Sequence, residues 1–210
     1  MNVSAVPDAP RIDAGALPLC FFVRHGETAW NKEGRLQGQA DTLITEEGRL
    51  QADRNGRKLK ELLGDPQDFD FVASPMKRTR ETMERIRGVL GVDPKAYRTD
   101  PRLVELSFGD WQGRTYTELE REEPGAYARR TADKWGFVPP GEGAESYAML
   151  ALRVAPYVRE IERPTVCVTH GGVIRSIFVL LGALAPDDAS LADTPQDQIL
   201  RLRDGRLEWL

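Results

Sequence analysis

Leu19 to Thr28 reads LCFFVRHGET, and within ten residues it passes from an unbroken apolar run to a histidine followed by a glycine. Leu19 to Val23 is apolar throughout, without the alternation of a strand that has one wet face. A short run of this kind fits a strand covered on both sides of its sheet. It opens after Pro18 and closes at Arg24. A second stretch repeats the pattern: Thr165 to Thr169 (TVCVT) starts after Pro164 and ends at His170, which precedes Gly171. The chain has only two histidines, and both stand where a buried strand ends. Core filling does not account for that shared placement.

Working outward, Phe69 to Ala73 reads as a third strand. Ser74 and Pro75 follow it, residue types favoured at a helix N-cap and first turn. Met76, Thr79, Met83, Ile86 and Leu90 then recur at helical spacing, which puts Arg78 in a first helical turn. Thr45 is expected to cap a helix running to about Leu63, although Gly48 and Gly56 weaken it by roughly 1 kcal/mol each. Ser146 opens a helix with Leu150, Val154, Tyr157, Val158 and Ile161 on one face, and Pro156 is expected to kink it. Val173 to Leu181 reads as the last helix, stopped at Gly182. Ile199 to Arg203 and Arg206 to Leu210 flank Asp204 and Gly205, a two-residue hairpin signal. Strands alternating with helices predict an α/β fold: a three-layer sandwich with a mostly parallel central sheet flanked by helices and room for an antiparallel edge. Ligands of such sheets bind beyond the carboxyl ends of the strands, where His25 and His170 would both lie.

At 210 residues the chain suits one domain, expected over residues 17–210. Residues 1–16, rich in Pro, Ala and Asp without periodicity, read as a flexible tail. With 40% hydrophobic and 30% charged residues, the composition argues against both disorder and a disulfide scaffold. A net charge of −4 gives no global attraction to nucleic acid or acidic membranes, so neither is expected as a partner and anion binding must be local. The apolar runs are shorter than the roughly 20 residues that span a bilayer. The first 16 residues lack a basic start followed by an apolar run, and a cytoplasmic location is expected. Cys20 and Cys167 each lie inside an apolar run and read as core thiols. Only six of the 29 basic residues are lysine, so an arginine is informative here by position and not by type.

By position, Arg24 and Arg78 stand out. Each brings a permanently charged guanidinium fork, suited to phosphate oxygens, to the same ends of the strands as the histidines. Helix starts after Ser74 and Gly171 would add backbone donors there, and Gly26 and Gly171 would let the backbone approach a ligand. The residues Arg24, His25, Gly26, Glu27 and Thr28 (RHGET) resemble the signature of the histidine phosphatase, or phosphoglycerate mutase-like, superfamily. The similarity continues through Asn31, Gln37 and Gly38; Ser74, Pro75, Arg78 and Thr82; Leu103, Glu105, Phe108, Gly109, Trp111 and Gly113; and His170 with Gly171.

That resemblance implies a catalytic set of His25, Glu105, His170, Arg24 and Arg78. His25 would be the nucleophile that becomes phosphohistidine, Arg24, Arg78 and His170 would hold the phosphoryl oxygens, and Glu105 would be the proton donor. Asn31, Gln37, Gly38 and Gly171 are candidate substrate contacts, though Asn31 and Gln37 serve equally well as caps of loop backbone. Neither a metal nor a cofactor is expected, and the expected partner is a small phosphorylated substrate. Trp111 and Gly113 (GDWQG) and the short passage from Pro139 and Pro140 to Glu145 and Ser146 resemble the phosphatase branch. Arg129 and Arg130 keep open a cofactor-dependent phosphoglycerate mutase; a non-catalytic phosphate- or partner-binding member is the third reading. A zinc or dinuclear hydrolase is disfavoured, because the histidines lack clustered ligand spacing.

Overall fold

The structure, a computed structural model, describes residues 9–210. Its centre is a six-stranded sheet in the order β3-β2-β4-β1-β5-β6. The strands are β1 (Cys20–Arg24), β2 (Asp70–Ala73), β3 (Arg98–Thr99), β4 (Thr165–Thr169), β5 (Ile199–Arg203) and β6 (Arg206–Trp209). The first four are mutually parallel, while β5 and β6 run antiparallel to their neighbours. The antiparallel edge is therefore a hairpin of two strands. Its turn residues Asp204 and Gly205 both adopt positive φ, 49° and 74°, the geometry that matches the twist of a tight hairpin.

Helices cover both faces: α1 (Ala29–Lys32), α2 (Glu46–Leu62), α3 (Lys77–Leu90), α4 (Tyr116–Glu122), α5 (Ala126–Ala132), α6 (Tyr147–Arg159), α7 (Gly171–Leu180) and α8 (Pro186–Leu191). Successive strand side chains point to opposite faces, so each central strand feeds two cores. Phe21, Val23, Phe71, Val166 and Val168 pack with Leu59 of α2 and Met83 and Ile86 of α3. Cys20, Phe22, Val72 and Cys167 pack with Leu150 and Val154 of α6 and Ile174 and Ile177 of α7. The expected three layers and apolar strands follow from this double coverage. Burial pushes both thiols up to about 12, as suits core cysteines.

Four details correct the sequence reading. Helix α3 starts two residues late: Met76 is its N-cap, and Ser74 instead turns its hydroxyl to His170. Val173 to Leu181 is not the last helix, because α8 follows the left-handed turn at Gly182. Gly48 and Gly56 are packing sites more than weak points. A Cβ on Gly48 would run into the backbone of Glu27, and one on Gly56 would press on Val89 of α3. Finally, of the expected tail, residues 1–8 lie outside the described residues, and Ala9 to Ala16 are not loose. Ile12 donates its N–H to Leu180 O at 2.8 Å, Asp13 caps a short 3-10 turn over Ala14–Ala16, and Ala9, Ile12 and Ala14 pack on the α6–α7 layer.

Candidate active site

The parallel register sets Arg24 beside Thr169, so the residues that follow, His25 and His170, emerge side by side. His25 N–H donates to Thr169 O at 2.9 Å and ties the two strand ends together. The imidazole rings stand edge to face with centroids 5.2 Å apart. β2 ends beside them, where Ser74 N–H donates to Val168 O. Arg78 enters from the first turn of α3. Glu105 arrives on the loop after the 3-10 turn Pro101–Leu103 and accepts N–H bonds from Leu106 (2.8 Å) and from Gly172 (3.1 Å), in the first turn of α7. A Cβ on Gly172 would collide with that carboxylate. Only a glycine leaves it room.

Arg24, His25, Arg78 and Glu105 line a cavity of about 140 Å³ together with Asn31, Arg35, Gln37, Gly38, Phe108, Tyr147, Gly171 and Arg175, and His170 stands directly behind its wall against His25. Of the predicted site residues, all but His170 lie on this lining, and His170 is in contact with it through His25. A larger hollow of about 730 Å³, around Phe69, Arg87 and Tyr97, lies toward the opposite end of β2 and contains no histidine.

The electrostatics are one-sided. Arg78 is fully buried, and its guanidinium donates only to backbone, Ala40 O at 2.7 Å and Gly38 O at 2.8 Å. Arg24 likewise donates to Thr194 O at 2.9 Å. Neither has a carboxylate salt-bridge partner among the described residues, and burial lowers both, Arg78 to about 10. Burial, then Arg78 and Arg24, holds His25 well below its ordinary 6.5, and His170 is depressed by burial, then Arg78, His25, Arg24 and Arg153. Both rings are thus neutral at pH 7. His25 Nδ1 lies 2.8 Å from Gly26 O. A carbonyl only accepts, so Nδ1 carries the hydrogen and Nε2 keeps its lone pair.

Of the six buried side-chain N or O atoms without a hydrogen-bond partner among the described residues, four belong to this site: Arg24 Nε, Arg78 Nε, His170 Nδ1 and Thr194 Oγ1. Buried polar atoms are ordinarily paired, and such a concentration marks a place built for a polar guest. With Arg24, Arg78 and Arg175 free of carboxylate partners among the described residues and Glu105 the only acid on the lining, the matching guest is an anion. The cationic groups on the cavity lining are arginines; among the described residues no three His, Cys, Asp or Glu side chains are grouped to hold a metal ion.

Asn31 splits its function. Its Oδ1 accepts from Thr28 N–H (3.1 Å) and from Gln196 Nε2 (3.0 Å), completing the capping box of α1, while the residue still faces the cavity. Gln37 accepts from Thr42 Oγ1 through its amide oxygen. Gly38, at φ 51°, gives its carbonyl to Arg78, and a side chain there would strike Gln112. The Arg129–Arg130 pair divides: Arg129 turns out to Glu123, whereas Arg130 is buried with its guanidinium carbon 5.6–6.0 Å from the Phe108, Tyr116 and Tyr147 ring centroids. Sequence reading missed Arg175, Tyr147 and Thr194. Arg175 had a usable signal, since it stands four residues after Gly171 on the same helix face; Thr194 lies in a loop that carries none.

Strand tips that present two neutral histidines between two unpaired arginines define a phosphoryl-binding α/β protein. The chain belongs to the histidine phosphatase superfamily (branch 1), whose family model matches residues 20–205. It is similar to the glucosyl-3-phosphoglycerate phosphatase of Mycobacterium tuberculosis, 34% identical over 174 residues that cover 76% of this chain and 73% of the relative. It is also similar to phosphoglycerate mutase-like protein 4 of Arabidopsis thaliana, 35% identical over 190 residues, 87% of this chain and 79% of the relative. Among solved structures, mycobacterial glucosyl-3-phosphoglycerate phosphatase in complex with VO3 superposes with a TM-score of 0.74 at 28% identity, covering 91% of this chain and 96% of that one. The mostly parallel sheet with flanking helices is the phosphoglycerate mutase-like fold of these relatives.

Proposed function

We propose that the protein is a metal-independent phosphomonoester hydrolase that works through a phosphohistidine on His25. The observation that carries this reading is the neutral His25 ring with Nδ1 held by Gly26 O, which leaves Nε2 as a nucleophile between Arg24 and Arg78. The phosphoryl oxygens take the free donors of Arg24, Arg78 and His170. Nε2 attacks phosphorus as the bond to the ester oxygen breaks, and Glu105 gives its proton to the departing alkoxide. The ionised Glu105 then takes a proton from water as that water attacks the phosphohistidine, which returns His25 neutral and releases phosphate. Positive groups fixed before the reaction stabilise the equatorial charge in both steps. Asn31, Gln37, Gly38 and Gly171 complete the substrate contacts in this reading.

Hydrolysis is preferred to mutase chemistry because only four residues separate Pro140 from Glu145. This short passage is pinned by Asp110 N–H on Pro140 O at 2.8 Å. Arg175 on the cavity lining, with Lys134 and Arg130 near enough to it for their charges to be felt, favours a substrate with negative charge beyond its phosphate. The names of the mycobacterial relatives point to such a compound. Lys134 is lowered to about 8 by burial, then by Arg130 and Arg175. Its attraction for an anion should fade as pH rises through that value.

The test is phosphate release from a panel of phosphomonoesters in excess chelator, with 3-phosphoglycerate offered with and without its bisphosphate primer. Chelator-resistant release that requires His25 is expected; primer-dependent isomerisation without release would replace the hydrolase by a mutase. In the same assay, the kcat/KM preference for 3-phosphoglycerate over glycerol 3-phosphate should shrink above pH 8.

A further inference from the structure

Glu105 sits on an irregular segment, and a proton donor on a loop needs something to hold it. The side chain that does so comes from the far side of α6. Arg153 uses all five of its N–H donors. Nε and Nη2 grip the two oxygens of Glu145 at 2.9 and 2.7 Å, Nη1 donates to Arg102 O and Val104 O, each at 2.9 Å, and Nη2 reaches Glu105 O at 3.4 Å. Glu145 closes the clasp from the other end. Its Oε2 accepts from Ser107 N–H at 3.1 Å, and its own N–H donates to Ser107 O at 3.0 Å. Carbonyls at 102, 104 and 105 and both backbone groups of Ser107 are therefore fixed by one ion pair.

The pair is mostly covered, with side chains 24% and 16% exposed. Ion pairs so placed add little net stability, and apolar residues of similar volume hold a loop to a helix as well. What an apolar pair lacks is direction: it does not set the height and rotation of Glu105 at its two N–H contacts with Leu106 and Gly172.

We propose that Arg153 and Glu145 are positioning residues that aim the carboxyl group of Glu105 at the leaving-group oxygen. This rests on the acid role proposed above for Glu105. Neither residue touches the substrate; their effect runs through Glu105, and kcat/KM reads it at the step in which the ester oxygen departs.

The experiment compares kcat/KM for p-nitrophenyl phosphate, phenyl phosphate and glycerol 3-phosphate in the native protein, Arg153→Lys, Glu145→Gln, Glu105→Gln and the Arg153→Lys/Glu105→Gln double variant. Because a general acid matters most for poor leaving groups, Arg153→Lys should lose about 30-fold more on the alkyl ester than on the nitrophenyl ester. In the Glu105→Gln background that extra loss should shrink below about threefold, since the group being aimed is gone. Uniform slowing of all three esters, or an undiminished effect without Glu105, overturns the proposal. Glu145→Gln keeps the shape of the clasp and carries the same comparison if Arg153→Lys does not fold. Should Glu105→Gln itself slow all esters alike, the acid role falls and the positioning role with it. If Glu105→Gln is selective for poor leaving groups while both clasp variants are not, the positioning role alone falls.

Discussion

Helix α3 holds two arginines two turns apart whose surroundings are opposite. Arg85 grips Asp53 through both oxygens, at 2.9 and 2.5 Å, and stands about a third exposed. Arg78, in the first turn, is fully buried and meets only carbonyls, which orient its guanidinium without neutralising it. The α2–α3 seam adds a second paired arginine, Arg49 with Glu81 at 2.7 Å, while the strand tips add a second unpaired one, Arg24. Arg85 and Arg49 thus serve structure, each answered by a carboxylate, whereas Arg78 and Arg24 face the site with none. A buried cation without a counter-ion costs several kcal/mol in folding. It stays in place because it is available to an anionic substrate.

The sharpest way to break this comparison is to remove the centre of the unpaired region. His25→Ala should lower phosphate release by at least ~10³-fold, since the other neutral ring, His170, has its Nε2 engaged with Ser74 Oγ at 2.8 Å and is not free to attack. Its melting temperature should stay near that of the native protein, because a buried neutral ring is replaced by a smaller apolar group. Arg78→Met comes next. It should cost about 10²–10³ in kcat/KM through lost transition-state charge stabilisation, yet leave stability unchanged or raise it by about 1 kcal/mol, because the desolvated charge is gone. Chemical denaturation alongside steady-state kinetics reads both. A large loss of stability would mean that Arg78 is a structural arginine like Arg85.

The two histidines supply a pH test of the same contrast. Their folded-state values lie below 6.5 while the unfolded chain titrates near 6.5. Between those limits the unfolded state binds more protons, so stability rises with pH there and falls as pH drops below about 6.5, by up to ~1.4 kcal/mol per unit for each ring. Unfolding midpoints from pH 7.5 to 5 should show that fall. The slope should be shallower in Arg78→Met, where one cause of the depression is absent, and shallower again in saturating phosphate, whose negative charge favours the protonated rings. An identical slope in all three conditions would disconnect the histidines from the arginine.

Much of this contrast was legible before the structure. The strands ending in His25 and His170 were visible as apolar runs between a proline and a histidine, and the register of β1 on β4 then made their meeting unavoidable. Arg78 was placed by the helical recurrence of Met76, Thr79, Met83 and Ile86, a local pattern that the two-residue shift of the helix start did not disturb. Local patterns could not say which acids the arginines meet. Asp53 and Arg85 are joined only because α2 packs against α3, a contact set by Gly56 and Val89. Arg153 reaches Glu105 from a helix 48 residues further along the chain, and no periodicity announces that. Ala9 to Ala16 was misread for the same reason: its partner, Leu180, lies on α7.

The finest test lies on the paired side. Arg85→Met removes a bidentate contact with Asp53 but leaves that carboxylate about a fifth exposed, so water takes over part of the lost hydrogen bonding. Exposed pairs contribute up to about 1 kcal/mol, and this one, with its extra bond to Arg49 O at 3.2 Å, belongs near the upper end. The expected result is a loss of ~0.5–1 kcal/mol in denaturant unfolding, largely reproduced in the native protein by high salt. Phosphate release should stay within about twofold of native, because Arg85 is two turns from the cavity and donates nothing into it. If kcat/KM fell tenfold while stability held, the charge on this face would be acting on the site at a distance. The division of α3 into a paired and an unpaired region would then be a difference of degree, with the whole helix supplying the field that holds the phosphate.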